Sequence, residues 1–174
     1  MKKILFFTVL TVLGLFNLPA QEVNFGLKGG VDFASLRLEA EGENISTSET
    51  GFYIGALVEI QLSDNFALQP ELLYVVIDFE DMNFDYISIP IVVKYSVSNE
   101  LDLIVGPNLG FILDTEEGEK SFNFGLEGGA SYDITENFFI EARYNLGLAN
   151  LLEDAPSGYA IKLNGFFAGI GYKF

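Results

Sequence analysis

The sequence predicts an all-β protein, an eight-stranded antiparallel up-and-down transmembrane β-barrel preceded by a signal peptide. Three observations predict it: a short apolar segment behind two N-terminal lysines, eight segments in which apolar residues alternate with other residues, and a complete lack of charge on one face of those segments. At 174 residues the chain has the length of one domain.

The N-terminus has the three parts of an export signal. Lys2 and Lys3 precede a mostly apolar run from Ile4 to Leu18, and the small residue Ala20 follows Pro19. This run is shorter than the about 20 apolar residues that a membrane-spanning helix needs. We therefore predict a signal peptide at 1–20 and the barrel at 21–174, with an uncleaved N-terminal anchor as the alternative.

Short and long polar segments alternate along the rest of the chain. Short turn-like segments lie at 63–65, 98–100 and 135–137, and longer polar stretches lie near 37–50, 80–85, 114–121 and 149–160. The segments between them are longer than the five or six residues usual in soluble sheets and reach the about 9–11 that a tilted strand needs to cross a bilayer. The predicted strands are 23–36, 51–62, 66–79, 86–97, 101–113, 122–134, 138–148 and 161–174.

The two faces of these strands differ sharply. One face is almost entirely apolar and carries no charge; in the second, third and fourth strands it includes Phe52, Ile54, Ala56, Val58, Ile60, Leu62, Phe66, Leu68, Leu72, Tyr74, Ile87, Ile89, Ile91 and Val93. The opposite face holds the charges and most of the glycines. Aromatic residues near strand ends are placed to form girdles at the membrane interfaces, among them Phe66, Tyr95, Phe122, Tyr132 and Phe138.

The apolar face is predicted to point outwards. An eight-stranded barrel is only just wide enough to be filled by side chains, so it cannot enclose so many large apolar groups. In a bilayer these groups can face hydrocarbon, and a closed barrel satisfies every backbone hydrogen bond without an edge. The alternative is a soluble lipocalin-like barrel, which would bury the apolar face and expose the charged one.

Composition excludes several functions. The chain has no Cys and no His, which removes disulfides, the usual zinc ligand sets, and Ser-His or Cys-His catalysis. Its net charge of −16 opposes nucleic-acid binding. We expect no enzymatic activity, no catalytic residues, no cofactor and no specific metal site.

Charged residues on the inner face are candidates for a structural role. An interior ion-pair lattice is the favoured interpretation, because a lone charge in a narrow lumen would be costly; general acid–base chemistry by paired carboxylates is the alternative. The residues assigned to this lattice are Lys28, Glu59, Glu71, Lys94, Glu127, Glu141 and Arg143.

Acidic residues dominate the longer polar stretches. They predict a solvated, repulsive rim at one end of the barrel, with a divalent cation or a cationic surface ligand as the alternative. The residues assigned to these acidic surface loops are Glu39, Glu41, Glu43, Glu80, Asp81, Glu116, Glu117 and Glu119.

The C-terminal strand ends in alternating apolar residues. Phe166, Ile170, Tyr172 and the terminal Phe174 resemble the signal by which the outer-membrane barrel assembly machinery recognises its substrates. This resemblance implies that the assembly machinery is a partner and that outer-membrane lipid surrounds the folded barrel.

Four segments carry a recurring pattern: Leu68-Gln-Pro-Glu-Leu-Leu-Tyr74, Ile89-Pro-Ile-Val-Val-Lys-Tyr95, Ala142-Arg-Tyr-Asn-Leu-Gly147 and the Gly-Tyr-Lys-Phe174 ending. They resemble the PorT-type outer-membrane β-barrel family and the wider group of small OmpX- and OmpA-like barrels. The resemblance implies the outer membrane of a Gram-negative bacterium and a lumenal, structural role for Glu71, Lys94 and Arg143. Val75-Val76-Ile77 departs from the more polar, Gly-containing stretch usual after the Tyr.

The expected function is a non-enzymatic barrel with a structural, adhesive or ligand-contact role. An accessory component of a protein secretion system is the alternative, and a small pore is a third. The sequence leaves the oligomeric state open.

Overall fold

The computed structural model describes residues 22–40, 43–79, 82–113, 120–152 and 159–174. The predicted signal peptide at 1–20 lies outside the described residues. Eight strands are present: β1 (Val23–Ala40), β2 (Glu43–Ser63), β3 (Phe66–Phe79), β4 (Met82–Ser96), β5 (Leu101–Ile112), β6 (Phe122–Asp133), β7 (Phe138–Gly147) and β8 (Tyr159–Lys173).

The strands form one closed antiparallel barrel. Each strand pairs with its neighbours in sequence, and β8 pairs with β1 to close the cylinder. The short connections β2–β3, β4–β5 and β6–β7 lie at one end, which we call the turn end, and the other connections lie at the opposite end. The predicted fold class is confirmed. None of the described residues lies in a helix long and apolar enough to cross a membrane.

Inside and outside alternate along the strands as the sequence predicts. Exposed and buried residues alternate through all ten positions of β7. In β3, Leu72 is 54% exposed on the outer surface, whereas its neighbour Leu73 is 1% exposed in the lumen. The outward-facing side chains are the large apolar ones, so this surface suits hydrocarbon.

Two predicted loops are strands instead. The stretch near 37–50 was expected to be a loop, but β1 continues to Ala40 and β2 starts at Glu43, and these two residues pair. Likewise Phe79 pairs with Met82 across a segment expected to be a loop at 80–85. The polar Ser and Thr residues at 46–50 suggest a loop, yet Thr favours strands, and this stretch pairs with β1 along one edge.

The polarity of the outer and inner faces changes near the ends of β1, β2 and β8 that lie away from the turn end; we call this direction up. Below this level the outward residues are apolar, including Phe33, Phe52 and Phe166. Above it, most outward positions are polar, and most inward positions of β1 and β8 are apolar, whereas the inward Thr47 and Glu49 of β2 are polar. The outward polar set is Ser35, Arg37, Glu39, Ser46, Ser48, Thr50, Lys162 and Asn164, and the inward apolar set includes Leu36, Leu38, Ile45, Ile161 and Leu163. The outer face of this three-stranded sheet extension is therefore polar, and the extension stands outside the hydrocarbon.

Aromatic rings flank the apolar band at both ends. Near the turn end, Phe66 packs on Tyr95 with ring centroids 5.0 Å apart, and Phe138 packs on Tyr172 at 4.8 Å. Near the opposite end, Phe111 packs on Phe122 at 5.4 Å. These pairs are placed as the two aromatic girdles of a transmembrane barrel are.

Candidate functional site

A buried ion-pair cluster occupies the middle of the lumen; we call it the central cluster. Arg143 reaches three carboxylates, with nitrogen–oxygen distances of 2.9 Å to Glu71, 2.7 Å to Glu127 and 2.8 Å to Glu141. Lys28 Nζ lies 2.5 Å from Glu71 and 2.9 Å from Glu141. The side chains of this cluster are all but inaccessible to solvent. Two cations thus form ion pairs with three carboxylates in the interior.

Neutral polar groups complete the central cluster. Tyr53 donates to Glu141 Oε1 at 3.1 Å, Gln69 donates to Glu71 Oε1 at 2.6 Å, and Asn108 donates to Glu127 Oε2 at 2.9 Å. Burying a carboxylate is tolerable only when its oxygens have partners. These three donors were not among the residues singled out from the sequence; their inward parity was the signal that could have found them.

A second cluster lies towards the turn end; we call it the mouth cluster. Lys94 Nζ lies 2.7 Å from Glu59 and 2.8 Å from Asp102, and Lys173 Nζ lies 3.0 Å from Asp133. The structure therefore divides the seven lattice residues between two levels, with Glu59 and Lys94 apart from the other five. Asp102, Asp133 and Lys173 join them without having been assigned to the lattice.

Small residues in the neighbouring strands make room for the long charged ones. Lys28 pairs with Gly55 on one side and Gly171 on the other, and Arg143 pairs with Gly129. A Cβ added at Gly129 would overlap the backbone and side chain of Arg143. Gly129 is therefore a packing requirement of Arg143 and the central cluster.

The lumen above the central cluster, on the side away from the turn end, is apolar, although the sequence pattern predicts a charged lumen. A cluster of buried residues fills it; we call it the upper lumen core. Leu151, from the segment after β7, closes it from above. The other members are Ala34, Tyr53, Leu73, Val75, Ile77, Phe84, Tyr86, Ile112, Leu163 and Phe167. Val75 and Ile77 belong to the stretch that departs from the resembled family, and their inward position explains why that stretch is apolar.

One carboxylate is set into this apolar layer. Asp32 is fully buried, and its Oδ2 accepts a 3.3 Å hydrogen bond from the Tyr86 hydroxyl. Among the described residues, no cation forms an ion pair with it. No three His, Cys, Asp or Glu side chains in the described part of the chain are arranged to hold a metal ion.

The sheet extension leaves one strand edge open. Residues 43–50 of β2 pair with β1, whereas pairing of β2 with β3 begins only at Gly51. Within the described residues, the other edge of this stretch has no backbone partner. Ile45 on this stretch is 63% exposed. An unpaired edge carries free N–H and C=O groups that another strand can bind.

The residues assigned to acidic surface loops have different positions. Glu39 lies in β1, where Lys162 Nζ contacts both its oxygens at 3.2 Å, and Glu43 begins β2. Neither residue lies in a loop, because the predicted loop is a hairpin. The remaining ones lie outside the described residues: Glu41, Glu80, Asp81, Glu116, Glu117 and Glu119.

The C-terminal residues lie on the outer surface of the closing strand. Phe166, Ile170, Tyr172 and Phe174 are all exposed there. The Phe174 amide donates to the Phe25 carbonyl at 2.8 Å, and the Asn137 side chain donates to the Lys173 carbonyl, also at 2.8 Å. The end of β8 is thus anchored to both β1 and the β6–β7 turn.

Comparison with known proteins accords with this architecture. The family model described as "Outer membrane protein beta-barrel domain" matches residues 19–153, which is most of the chain. The chain belongs to the outer-membrane β-barrel domain family. The specific PorT-type assignment is not established by this match. No curated protein matches the chain.

Solved outer-membrane barrels share the fold of this family member. Ail, the attachment invasion locus protein of Yersinia pestis, is 17% identical with a TM-score of 0.56, over 88% of this chain and 99% of Ail. Neisserial surface protein A is 16% identical with a TM-score of 0.53, over 88% of this chain and 99% of that one. The protein is thus a barrel of the Gram-negative outer membrane. The sheet extension and the long connections lie at the extracellular end, because such barrels have short periplasmic turns.

Proposed function

We propose that this protein is a non-enzymatic integral barrel of the outer membrane, whose extracellular end contacts a partner outside the cell. The proposal rests on the unpaired edge of β2 at 43–50, which lies in the sheet extension outside the hydrocarbon. Strand addition to such an edge is a common mode of peptide recognition, in which main-chain hydrogen bonds supply much of the affinity.

The lumen supports a structural role in this proposal. Its two charge clusters are internally paired, and the upper lumen core fills the space above them. Arg143, Leu57 and Phe167 in particular are fully buried side chains that occupy the bore. The lumen residues therefore stabilise the barrel, and the absence of His and Cys from the chain fits a protein without a nucleophile–base pair.

Charge indicates the chemistry of the partner. Acidic residues crowd the extracellular segments 39–50, 78–85 and 114–120 in a chain of net charge −16. Ail has been solved in complex with the heparin analogue sucrose octasulfate, a polyanion. Such a ligand would be repelled by the acidic segments here, so we propose a basic extended segment as the partner.

A fluorescent peptide of alternating lysine and threonine tests the proposal, because it is basic and can extend. The matched control peptide replaces threonine with proline, which cannot complete a ladder. The protein variant deletes 38–40 together with 43–45, three residue pairs of one hairpin, so the remaining register is kept. We expect binding to the intact barrel in nanodiscs and about tenfold weaker binding for the variant and for the control peptide. Equal affinities would refute contact through the edge.

The resemblance to PorT-type barrels supports a second candidate, an accessory role in protein secretion. A secretion defect in a deletion strain that the shortened-hairpin variant fully restores would favour this candidate over surface contact. A small pore is the third candidate, and steady ion conductance in planar bilayers would favour it. The filled lumen argues against conductance.

A further inference from the structure

We propose that Arg37 and Lys162 form a binding site for a phosphate group of an outer-leaflet lipid headgroup. The two residues are direct cross-strand partners between β1 and β8, and both point outwards from the sheet extension. In the described strands these are the two cations on the outer face; Lys28, Lys94, Arg143 and Lys173 all face the lumen.

The charge balance of this pair is incomplete. Like charges placed directly opposite each other in a sheet destabilise it. Glu39 is the shared counter-ion, 3.2 Å from Lys162 Nζ and 3.8 Å from Arg37 Nε. Among the side chains that the structure describes on this face, two cations and one carboxylate leave one positive charge. An anion between the two side chains would remove the repulsion.

Both side chains are accessible to such an anion. The Arg37 side chain is 47% exposed and that of Lys162 is 32% exposed. An arginine offers a planar fork of donors that matches phosphate oxygens, and a lysine adds a compact charge. The Arg37 atom nearest to Glu39 is Nε, at 3.8 Å, and within the described part of the chain the guanidinium forms no other ion pair.

The position of Arg37 and Lys162 relative to the hydrocarbon indicates that the phosphate belongs to a lipid headgroup. Phe33 and Phe166, also cross-strand partners, mark the last apolar outward level. Arg37 lies four residues further along β1, about 13 Å along the strand and about 10 Å in height at the usual tilt. Long cationic side chains at this level reach the headgroups, while the Phe33 and Phe166 rings contact the acyl chains beneath.

Binding of lipid A to the full barrel in a maltoside detergent, which contains no phosphate, tests the site. The variants are Arg37→Gln with Lys162→Gln, and Glu39→Gln alone; Lys120→Gln, an exposed cation elsewhere, is the matched control. We expect the double variant to bind at least about tenfold more weakly, Glu39→Gln to bind more tightly, and Lys120→Gln to match wild type. The increase for Glu39→Gln cannot arise from misfolding.

Two further measurements identify the source of the phosphate. Lipid A stripped of its phosphates should bind about as weakly to wild type as intact lipid A binds to the double variant. Inorganic phosphate at millimolar concentration should not displace intact lipid A. Equal binding by the double variant, or equal binding of the stripped lipid, would overturn the proposal, and full displacement by inorganic phosphate would show a free-anion site instead.

Discussion

Arg143 and Glu71 form a two-point contact in the centre of the barrel: Nη1 donates to Oε1 at 3.1 Å and Nη2 donates to Oε2 at 2.9 Å. They come from β7 and β3, on different sides of the cylinder, so their contact crosses the lumen. Paired in this way, a guanidinium and a carboxylate fix each other's orientation. The same guanidinium reaches Glu127 and Glu141, which makes Arg143 the hub of the central cluster.

Replacing Arg143 with leucine should destabilise the barrel by about 3–5 kcal/mol, since breaking a buried pair leaves uncompensated charge. Three carboxylates would then share Lys28 alone. Urea unfolding in lipid vesicles measures the loss. Lys120→Leu, which removes an exposed cation, should change the free energy of unfolding by no more than about 1 kcal/mol. Combining Arg143→Leu with Glu71→Gln should cost less than the sum of the two single changes. Unfolding of Arg143→Leu at the wild-type urea concentration would contradict the cluster's structural role.

Gly171 should be intolerant of a side chain because the Phe139 ring lies over it. A Cβ at this position would overlap Phe139 ring atoms, whereas a Cβ at Gly128 would meet no atom closer than 3.7 Å. We expect Gly171→Ala to cost about 1–3 kcal/mol by overpacking, and Gly128→Ala to be nearly neutral. Adding Phe139→Leu should recover part of the loss, as measured by the same unfolding assay. Equal effects of the two alanine substitutions would refute the packing argument.

Asn150 should hold the segment that closes the upper lumen core. Its Oδ1 accepts from the amides of Leu152 and Ile161 at 3.1 and 3.0 Å, and its Nδ2 donates to the Tyr159 carbonyl at 3.1 Å. Asn150→Ala should speed hydrogen exchange at those two amides by about tenfold or more, a loss of about 1.4 kcal/mol or more. Exchange measured by NMR in detergent micelles tests this. The control Asn65→Ala removes a single exposed hydrogen bond, to the Ser96 carbonyl, at the other end. It should leave both amides unchanged.

Phe174 is proposed as part of an assembly signal, so its loss should affect assembly more than stability. We expect Phe174→Ala to lower the fraction of heat-modifiable, folded barrel in outer membranes while the assembled molecules unfold near the wild-type temperature. Phe66→Ala, which removes an exposed girdle ring outside the proposed signal, is the matched control and should assemble normally. Equal assembly of the two variants would remove the signal role.

Alternation in the sequence predicted the membrane-spanning part of the fold because two environments act on it. Where lipid lies outside and charged groups lie inside, as along β7, the polarity of each residue indicates whether it faces the lipid or the lumen. The lattice residues could be named for the same reason. Their division into two clusters could not, because the strand stagger that sets their heights is absent from the pattern of any single strand.

The alternation of apolar and polar residues disappears where the outside and the lumen of the barrel are both apolar. Val75, Val76 and Ile77 are apolar on both faces, since lipid lies outside and the upper lumen core inside. Parity alone therefore gave no sign of an apolar layer in the lumen. Above Phe33 the outer face becomes polar and Leu36 and Leu38 turn inwards, so the rule that found the spanning strands fails for the sheet extension.

The fold depends on the apolar face of the strands pointing outwards, and tryptophan fluorescence measures this orientation residue by residue. The chain contains no Trp, so a single introduced Trp is the only such fluorophore. Phe166 and Phe167 are consecutive, 42% exposed on the outer face and 2% exposed in the lumen. In vesicles of lipids brominated along their acyl chains, Phe166→Trp should be strongly quenched and Phe167→Trp, or the second lumenal variant Phe139→Trp, should not. Quenching of the lumenal variants with protection of Phe166→Trp would show that the apolar face lies inside the barrel.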